Sequence, residues 1–230
     1  MAEVIVALDL SHGSDALRLL DRLPLARWVK VGPVLMTREG AGFVQTLVGR
    51  GLRVFLDLKW HDIPNTVAEA VMAARELGVG MATVHTLGGA DMMEHAAAAA
   101  GPELTLLGVT VLTSHDAASF GRVLGRPQVD LTQEASRLAL AAIQSGLRGV
   151  VCSTHEVSSI RRTIGAEPLI VVPGIRRLSD AAADQVRVAT AKDAAASGAT
   201  HLVVGRPVLQ ASDPAAAFQE LVEEARCVHS

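Results

Sequence analysis

Residues 53–66 have the sequence RVFLDLKWHDIPNT, in which an apolar run is followed directly by three charged residues and a proline. Such a bounded apolar run predicts a buried strand, which we place at residues 53–59. On a strand, Asp57 and Lys59 are two positions apart and point to the same face. Charged groups are costly to desolvate on an inward face, and folding does not require them there. The pattern therefore predicts a charged active site at the mouth of a sheet or barrel.

The same strand-and-helix unit recurs along the whole chain. Short, nearly continuous apolar runs are typical of parallel strands that are covered on both faces. They predict eight strands, at residues 4–9, 28–31, 53–59, 81–85, 106–110, 149–152, 169–172 and 201–204. Amphipathic stretches between them predict helices, among them residues 14–22, 37–50, 66–77, 90–99, 132–145 and 155–164.

Eight such units in 230 residues favour a closed (β/α)8 barrel, the TIM barrel, over an open doubly wound sheet. The turn after the first strand, residues 9–13, is DLSHG and lacks the GxGxxG pattern of a dinucleotide-binding sheet. No linker or low-complexity segment interrupts the pattern. We therefore predict an α/β protein with a single barrel domain spanning residues 1–230.

Composition and charge argue against several classes of partner. The net charge is −3, so no excess of positive charge would attract nucleic acid. Aromatic residues, on which bases could stack, make up only 3% of the chain. No apolar run reaches the ~18 residues of a membrane span, and the amino terminus lacks the pattern of a signal peptide. Two cysteines, Cys152 and Cys227, fit a reduced compartment and are too few for a cysteine-type zinc site. We expect a cytoplasmic protein that binds neither nucleic acid nor membrane.

Polar residues stand at or near the carboxyl ends of the predicted strands, where barrel enzymes carry their chemistry. These residues are Asp9, Lys30, Asp57, Lys59, His85 and Thr110. Four charges of alternating sign are expected to converge there: Lys30, Asp57, Lys59 and Asp62. One interpretation is a buried ion-pair network, which contributes little net stability. The other is a preorganised site in which a lysine held between carboxylates stays protonated and donates a proton.

A phosphate site is predicted in the loops after the seventh and eighth strands, its usual place in this kind of barrel. Gly174 and Arg176 follow the seventh strand, and Gly205 and Arg206 follow the eighth. Glycine allows close approach of the backbone, and arginine offers paired donors to phosphate oxygens. Ordinary turns and solvated surface charges are the alternative for each residue alone, but their occurrence in both loops favours phosphate.

Other polar residues give weaker signals. His61 and His85 could act in acid–base chemistry, although packing is the more frequent role of such histidines. Thr113 and Ser114 follow the fifth strand and could either bind a ligand or cap the next segment.

Residues 57–66 closely resemble the signature D-x-K-x-x-D-I-P-N-T of the orotidine 5′-phosphate decarboxylase family, and the resemblance covers nearly the whole chain. Further matching segments are residues 6–9, 30–32, 112–114, 172–176, 184–185 with 187, and 204–207. The resemblance implies decarboxylation of orotidine 5′-monophosphate to UMP, the last step of de novo pyrimidine nucleotide synthesis. It further implies a homodimeric barrel that uses no cofactor and no metal.

The resemblance also implies roles for individual residues. Lys59 would be the proton donor, within a catalytic network completed by Lys30, Asp57 and Asp62. Asp62 and Thr66 would enter the site of the partner subunit. Asp57 would also bind the substrate. The other substrate-binding residues would be Asp9 and Lys30 at the ribose, Thr66 in support of the same region, Thr113 at the pyrimidine, and Arg176, Gln185, Gly205 and Arg206 at the phosphate.

The loop carrying Gln185 is expected to close over the phosphate. Here the chain departs from the family pattern, with Ala182 and Ala183 before the Asp-Gln pair and Ala191 after Thr190, where many relatives carry glycine and proline. These departures alter backbone freedom and leave the phosphate-binding side chains in place. We therefore expect them to affect loop closure rather than substrate identity.

Two other functions stay open. Magnesium-dependent sugar-phosphate decarboxylases or aldolases of the same barrel superfamily share the D-x-K-x-x-D core, although residues 62–66 and the long Gln185 loop favour the pyrimidine enzyme. A catalytically silent phosphate-binding barrel is the second alternative. The intact charge set argues against it, since a binding protein gains little from two adjacent buried lysines.

Overall fold

The computed structural model describes residues 1–177 and 190–226, and its parallel strands form a closed barrel in the order β1 to β8. The strands are β1 Glu3–Ala7, β2 Trp28–Val31, β3 Arg53–Trp60, β4 Met81–His85, β5 Thr105–Val109, β6 Gly149–Val151, β7 Leu169–Pro173 and β8 His201–Val204. Parallel pairing of β1 with β8, with Val6 opposite Val204, closes the sheet. The prediction of a (β/α)8 barrel is confirmed.

Helices connect the strands on the outside of the barrel. They are α1 Gly13–Asp21, α2 Pro33–Gly49, α3 Pro64–Glu76, α4 Ala90–Ala100, α5 Ala117–Leu124, α6 Leu131–Gln144, α7 Val157–Ile164, α8 Ala191–Ala196, α9 Arg206–Leu209 and α10 Pro214–Arg226. Short 3-10 turns, Thr86–Gly88 and Thr154–Glu156, follow β4 and precede α7. Within the described ranges, no helix combines the length and the apolar character needed to cross a membrane.

The strands bury both faces, because their side chains alternate between two apolar layers. Ile5, Phe55 and Leu107 belong to the layer inside the barrel. Val4 and Val6 belong to the larger layer between the strands and the helices. This double burial explains why the strands have nearly continuous apolar sequences.

Helix α2 differs from its prediction at its first residue. It begins at Pro33 rather than at residue 37, because proline at the first helical position gives up no intrahelical hydrogen bond. Gly40 has a φ of +69° and kinks the helix before it continues to Gly49. The apolar periodicity from residue 37 onward therefore marks only part of the helix.

Candidate active site

Charged side chains meet at the carboxyl ends of the first three strands. Lys30 Nζ lies 2.9 Å from Asp9 Oδ1 and 3.8 Å from Asp57 Oδ2. Lys59 Nζ donates a hydrogen bond of 2.8 Å to Asp57 Oδ1. Negative and positive groups thus alternate along one line, which we call the charge row: Asp9, Lys30, Asp57 and Lys59.

The middle of the charge row is buried and its two ends are open to solvent. The side chains of Lys30 and Asp57 are 11% and 13% exposed. Those of Lys59 and Asp9 are 36% and 58% exposed. Desolvation of the inner pair offsets much of its attraction, so stability alone does not account for the row. What the row achieves is to hold the Lys59 ammonium at the mouth of the barrel.

An irregularity in β3 sets the position of Lys59. Strand β3 pairs with β4 at Leu56 opposite Ala82 and next at Trp60 opposite Val84, so residues 57–59 lie opposite residue 83 alone. Within this bulge Lys59 has a φ of +52°. No other non-glycine residue in ranges 1–177 and 190–226 has a positive φ. Bulges redirect side chains, and they are frequent beside active sites.

Thr83 connects this bulge to the charge row, and sequence analysis missed it. Its hydroxyl oxygen accepts a hydrogen bond of 2.9 Å from the backbone N–H of Lys59. The hydroxyl in turn donates to Asp57 Oδ1 at 3.1 Å. The available signal was a single polar residue between Ala82 and Val84 in an apolar strand, and threonine is too common in strands for that signal to be distinctive.

Asp62 makes no ion pair with the charge row in the described part of its own chain. Its carboxylate is exposed and accepts a hydrogen bond of 2.7 Å from the backbone N–H of Ile63. In the described part of the chain, no ion pair joins Asp62 to Lys59. Thr66, also predicted to act in the site, is exposed in the first turn of α3. Both side chains are therefore exposed, and Asp62 is not ion-paired with its own Lys59 among the described residues.

A cavity of about 170 Å³ opens beside the charge row. Its polar side consists of Lys30, Asp57, Lys59 and Thr113, and its apolar side of Phe55, Val109, Val111, Leu112, Val151, Cys152, Pro173 and Val203. Burial, and then the nearby Glu156, raise the pKa of the Cys152 thiol, which therefore stays neutral in the apolar wall. Apolar walls with a few charged groups on one side are typical of small-molecule sites.

The predicted phosphate residues lie beyond the ends of β7 and β8. Gly174 has a φ of +80°, a conformation that favours glycine over any other residue. Arg176 is half-buried, and its backbone forms an isolated bridge with Thr190. Gly205 precedes α9, whose first residue, Arg206, is exposed. Gln185 and the departures Ala182 and Ala183 lie outside the described residues.

The sequence model of a protein family, described as the Orotidine 5′-phosphate decarboxylase / HUMPS family, matches residues 2–221. The chain belongs to this family. A relative from Halorhodospira halophila, named orotidine 5′-phosphate decarboxylase, is 48% identical over 227 residues, which cover 96% of this chain and 94% of the relative. One of the same name from Alkalilimnicola ehrlichii is 47% identical, over 97% of this chain and 96% of the relative.

Solved structures agree with this membership of the Orotidine 5′-phosphate decarboxylase / HUMPS family. The crystal structure of orotidine 5′-phosphate decarboxylase from Lactobacillus acidophilus has a TM-score of 0.86 and 36% identity, and the match covers 99% of this chain and 100% of that chain. An uncharacterized conserved protein from Geobacillus kaustophilus has a TM-score of 0.82 and 34% identity, over 97% of this chain and all of that one. The family resemblance predicted from residues 57–66 is confirmed, and the relatives' names agree with the prediction of a carboxy-lyase.

In this member of the family, His85 lies at the end of β4 and is neutral at pH 7. Its ring stacks on His61 with 5.7 Å between ring centroids. Burial first, and then electrostatic interaction with His61, Lys59 and His115, lower its pKa to about 4. Its Nδ1 accepts a hydrogen bond of 3.3 Å from the backbone N–H of Leu87. His85 thus caps the turn after β4, in keeping with the packing role weighed for it above.

Metal ligation was not expected from the sequence. In ranges 1–177 and 190–226, no three His, Cys, Asp or Glu side chains are grouped so as to hold a metal ion. That the reaction uses neither metal nor cofactor stays a prediction, which needs a chemical test.

Proposed function

We propose that the chain decarboxylates orotidine 5′-monophosphate to UMP, with Lys59 as the proton donor. The observation that carries the proposal is the Asp57–Lys59 pair, which the bulge of β3 places at the wall of the cavity. Relatives of this chain in the same family are named for this reaction. An ammonium fixed beside a carboxylate stays protonated and is available where negative charge develops.

The proposed reaction proceeds in two linked events. The bond between C6 of the pyrimidine and the carboxylate breaks, CO2 leaves, and the electron pair of that bond stays on C6. The Lys59 ammonium stabilises this pair and transfers a proton to C6, which gives UMP and a neutral amine. The amine then recovers a proton from water. Stabilisation that is stronger in the transition state than in the ground state is what accelerates the reaction.

The other predicted residues position the substrate around this centre. Asp57 orients the Lys59 ammonium by accepting its hydrogen bond. Asp9 and Lys30, whose Oδ1 and Nζ atoms are 2.9 Å apart, would bind the ribose hydroxyls. Thr113 lines the cavity and would contact the pyrimidine. The phosphate would be bound by Arg176, Gln185, Gly205 and Arg206, and the energy of these remote contacts would drive loop closure.

Several further proposals accompany this function. We infer a homodimer in which Asp62 and Thr66 act in the site of the partner subunit. Their exposure, and the lack of an ion pair between Asp62 and Lys59 within the described part of one chain, support this arrangement. A cytoplasmic location and one domain across all 230 residues also stay predictions.

Substitution of single lysines tests the proposal, because the chain has only three: Lys30, Lys59 and Lys192. Lys59→Ala should lower kcat by at least about 10³-fold, because it removes both the proton donor and the cation. Loss of the orotate ultraviolet absorbance measures turnover, and calorimetry with UMP measures binding, which should persist. Lys192→Ala is the matched control, because Lys192 is exposed on α8 and should be dispensable. Turnover by Lys59→Ala near the wild-type rate would refute the assignment.

The same assay after dialysis against EDTA separates the magnesium-dependent alternative. Activity on orotidine 5′-monophosphate that survives chelation supports the proposal. A chain that leaves orotidine 5′-monophosphate unchanged, and turns over a sugar phosphate only when Mg²⁺ is present, would be the magnesium-dependent enzyme. UMP binding by a wild-type protein that turns over nothing would instead indicate a silent binding barrel.

A further inference from the structure

Thr83 is fully buried on β4, and its hydroxyl bonds two members of the charge row. We propose that Thr83 is a positioning residue, which holds Lys59 in its left-handed backbone conformation and fixes the direction of its ammonium group. The inference rests on the proposed role of Lys59 as proton donor. It goes further by naming the group that determines where that donor points.

Lys59 needs an external restraint because its own backbone conformation is unfavourable. A positive φ brings the Cβ of a non-glycine residue too close to the following carbonyl oxygen, and such conformations persist only where the surroundings determine them. Lys59 has a φ of +52°. Its backbone N–H lies inside the bulge, where the regular pairing with β4 is interrupted between Leu56 and Trp60. A partner outside the strand ladder must therefore satisfy this N–H.

The hydroxyl of Thr83 supplies the restraint through both its oxygen and its proton. The oxygen accepts from Lys59 N at 2.9 Å, and the proton goes to Asp57 Oδ1 at 3.1 Å. The same Asp57 oxygen accepts from Lys59 Nζ at 2.8 Å. The three bonds close a ring that runs from the Lys59 backbone through Thr83 and Asp57 to the Lys59 ammonium. Both ends of one lysine are thus fixed by the same two partners.

The hydroxyl of Thr83 bonds a side chain of the charge row, whereas that of a buried threonine with a purely structural role bonds the main chain alone. Thr86 provides the comparison, because it is 3% exposed and its hydroxyl donates to the carbonyl oxygen of Val109 at 2.8 Å. Thr83 differs since both partners of its hydroxyl belong to Lys59 and Asp57. Loss of the Thr83 hydroxyl should therefore affect the rate, whereas loss of the Thr86 hydroxyl should affect stability alone.

Thr83→Val tests this because valine keeps the shape and removes the hydroxyl. Under single-turnover conditions, we expect the rate of decarboxylation to fall about ten- to a hundredfold, the range for loss of a hydrogen bond to a charged group. The Kd for UMP should stay within about twofold of wild type, because no ligand contact is removed. Thr83→Ser keeps the hydroxyl and should recover most of the rate. Thr86→Val is the control and should leave the rate unchanged.

Three results would overturn the inference: a Thr83→Val rate within about twofold of wild type, an equal loss in Thr86→Val, or no recovery in Thr83→Ser. If Thr83→Val does not fold, as judged by circular dichroism, Thr83→Ala replaces it with the same expected and opposing outcomes. A wild-type chain that does not decarboxylate orotidine 5′-monophosphate would refute the proposed function instead. The positioning role of Thr83 is then tested by a crystal structure of Thr83→Val. An unchanged φ at Lys59, with its Nζ still bonded to Asp57, would overturn the inference.

Discussion

At the scale of the residue, burial and the neighbouring basic side chains control the protonation of His85. Its pKa is lowered from 6.5 to about 4, first by burial and then by His61 and Lys59. Above pH 6.5 the imidazole is neutral in the folded and the unfolded chain, and the full stability is present. As the pH falls from 6.5 to about 4, the unfolded chain takes up a proton that the folded chain does not. Stability is therefore lost across this window.

We expect His85→Asn to remove this contribution, since an amide oxygen can still accept from Leu87 N and does not titrate. Between pH 6.5 and 4, the free energy of unfolding of wild type should fall more than that of the variant, by on the order of 2 kcal/mol after allowance for solvent screening. Urea unfolding at a series of pH values measures the difference.

The control for this prediction is His12→Asn, at an exposed histidine, which should keep the wild-type slope. Burial also lowers the pKa of His201, so His85→Asn should retain part of the pH dependence. Parallel curves for wild type and His85→Asn would contradict the assignment.

Residues of the site differ in how far the sequence could predict them. Asp57 and Lys59 were predictable, because charges that end an apolar run are visible along the chain itself. Thr83 was not, because its partners depend on a bulge formed 24 residues earlier in the sequence. The proposed role of Asp62 would depend on a second chain, and the local pattern of one chain carries no signal for that.

At the scale of the element, strand β6 contains a glycine, Gly149, that lies too close to the neighbouring strand to carry a side chain. Gly149 pairs with Leu169 of β7, and a Cβ built on Gly149 would overlap the main-chain oxygen of Leu169. A backbone atom cannot turn away as the end of a side chain can. We expect Gly149→Ala to lower the free energy of unfolding by roughly 1–3 kcal/mol, measured by urea denaturation.

Gly42→Ala is the matched control for the strand substitution. A Cβ at Gly42, in α2, would meet nothing within 4 Å. Since alanine favours a helix more than glycine does, this variant should be unchanged or more stable by up to about 1 kcal/mol. A loss of stability in Gly42→Ala equal to that in Gly149→Ala would show that the strand contact is not the cause.

Strands were predicted more closely than helices, for a physical reason. A strand buried on both faces has a continuous apolar sequence, and the predicted bounds of β2, β4 and β8 coincide with those observed. Helix α5 had no prediction, because it spans only Ala117–Leu124 and is fixed locally. The carboxylate of Asp116 caps it by accepting from the N–H of Ser119. Such a cap can be recognised only once the helix is known.

At the scale of the whole molecule, the two ends of the barrel differ in chemistry. At the amino end of the strands, Trp28 packs edge-on against His201 at 5.8 Å, and the Arg53 guanidinium lies 5.3 Å from the Trp28 ring centroid. At the carboxyl end, the charge row borders a cavity. Residues at the carboxyl end can be replaced, and the reaction changed, without altering the packing at the amino end. The barrel fold alone therefore could not indicate the reaction. The charge pattern of residues 57–62 and its resemblance to a family supplied that information.

The predicted exchange of Asp62 between subunits can be tested with pairs of inactive variants. In a mixed dimer of Lys59→Ala and Asp62→Ala chains, shared sites would place both defects in one site. The other site would then have a native Lys59 from one chain and a native Asp62 from the other. Random pairing makes half of the dimers mixed, so activity should recover to about a quarter of wild type. Chains with two different tags, co-expressed or refolded together, permit the measurement.

The pair Lys59→Ala and Lys30→Ala is the control for this experiment. Both lysines belong to the charge row of one barrel, where Lys30 Nζ and Lys59 Nζ contact opposite oxygens of the same Asp57. Every site of that mixed dimer carries one of the two defects, so no recovery is expected. If Asp62 served its own barrel, the first pair would fail in the same way. Recovery in the first pair and not in the second requires that Asp62 cross the interface, which would explain why its carboxylate forms no ion pair with Lys59 in the described part of its own chain.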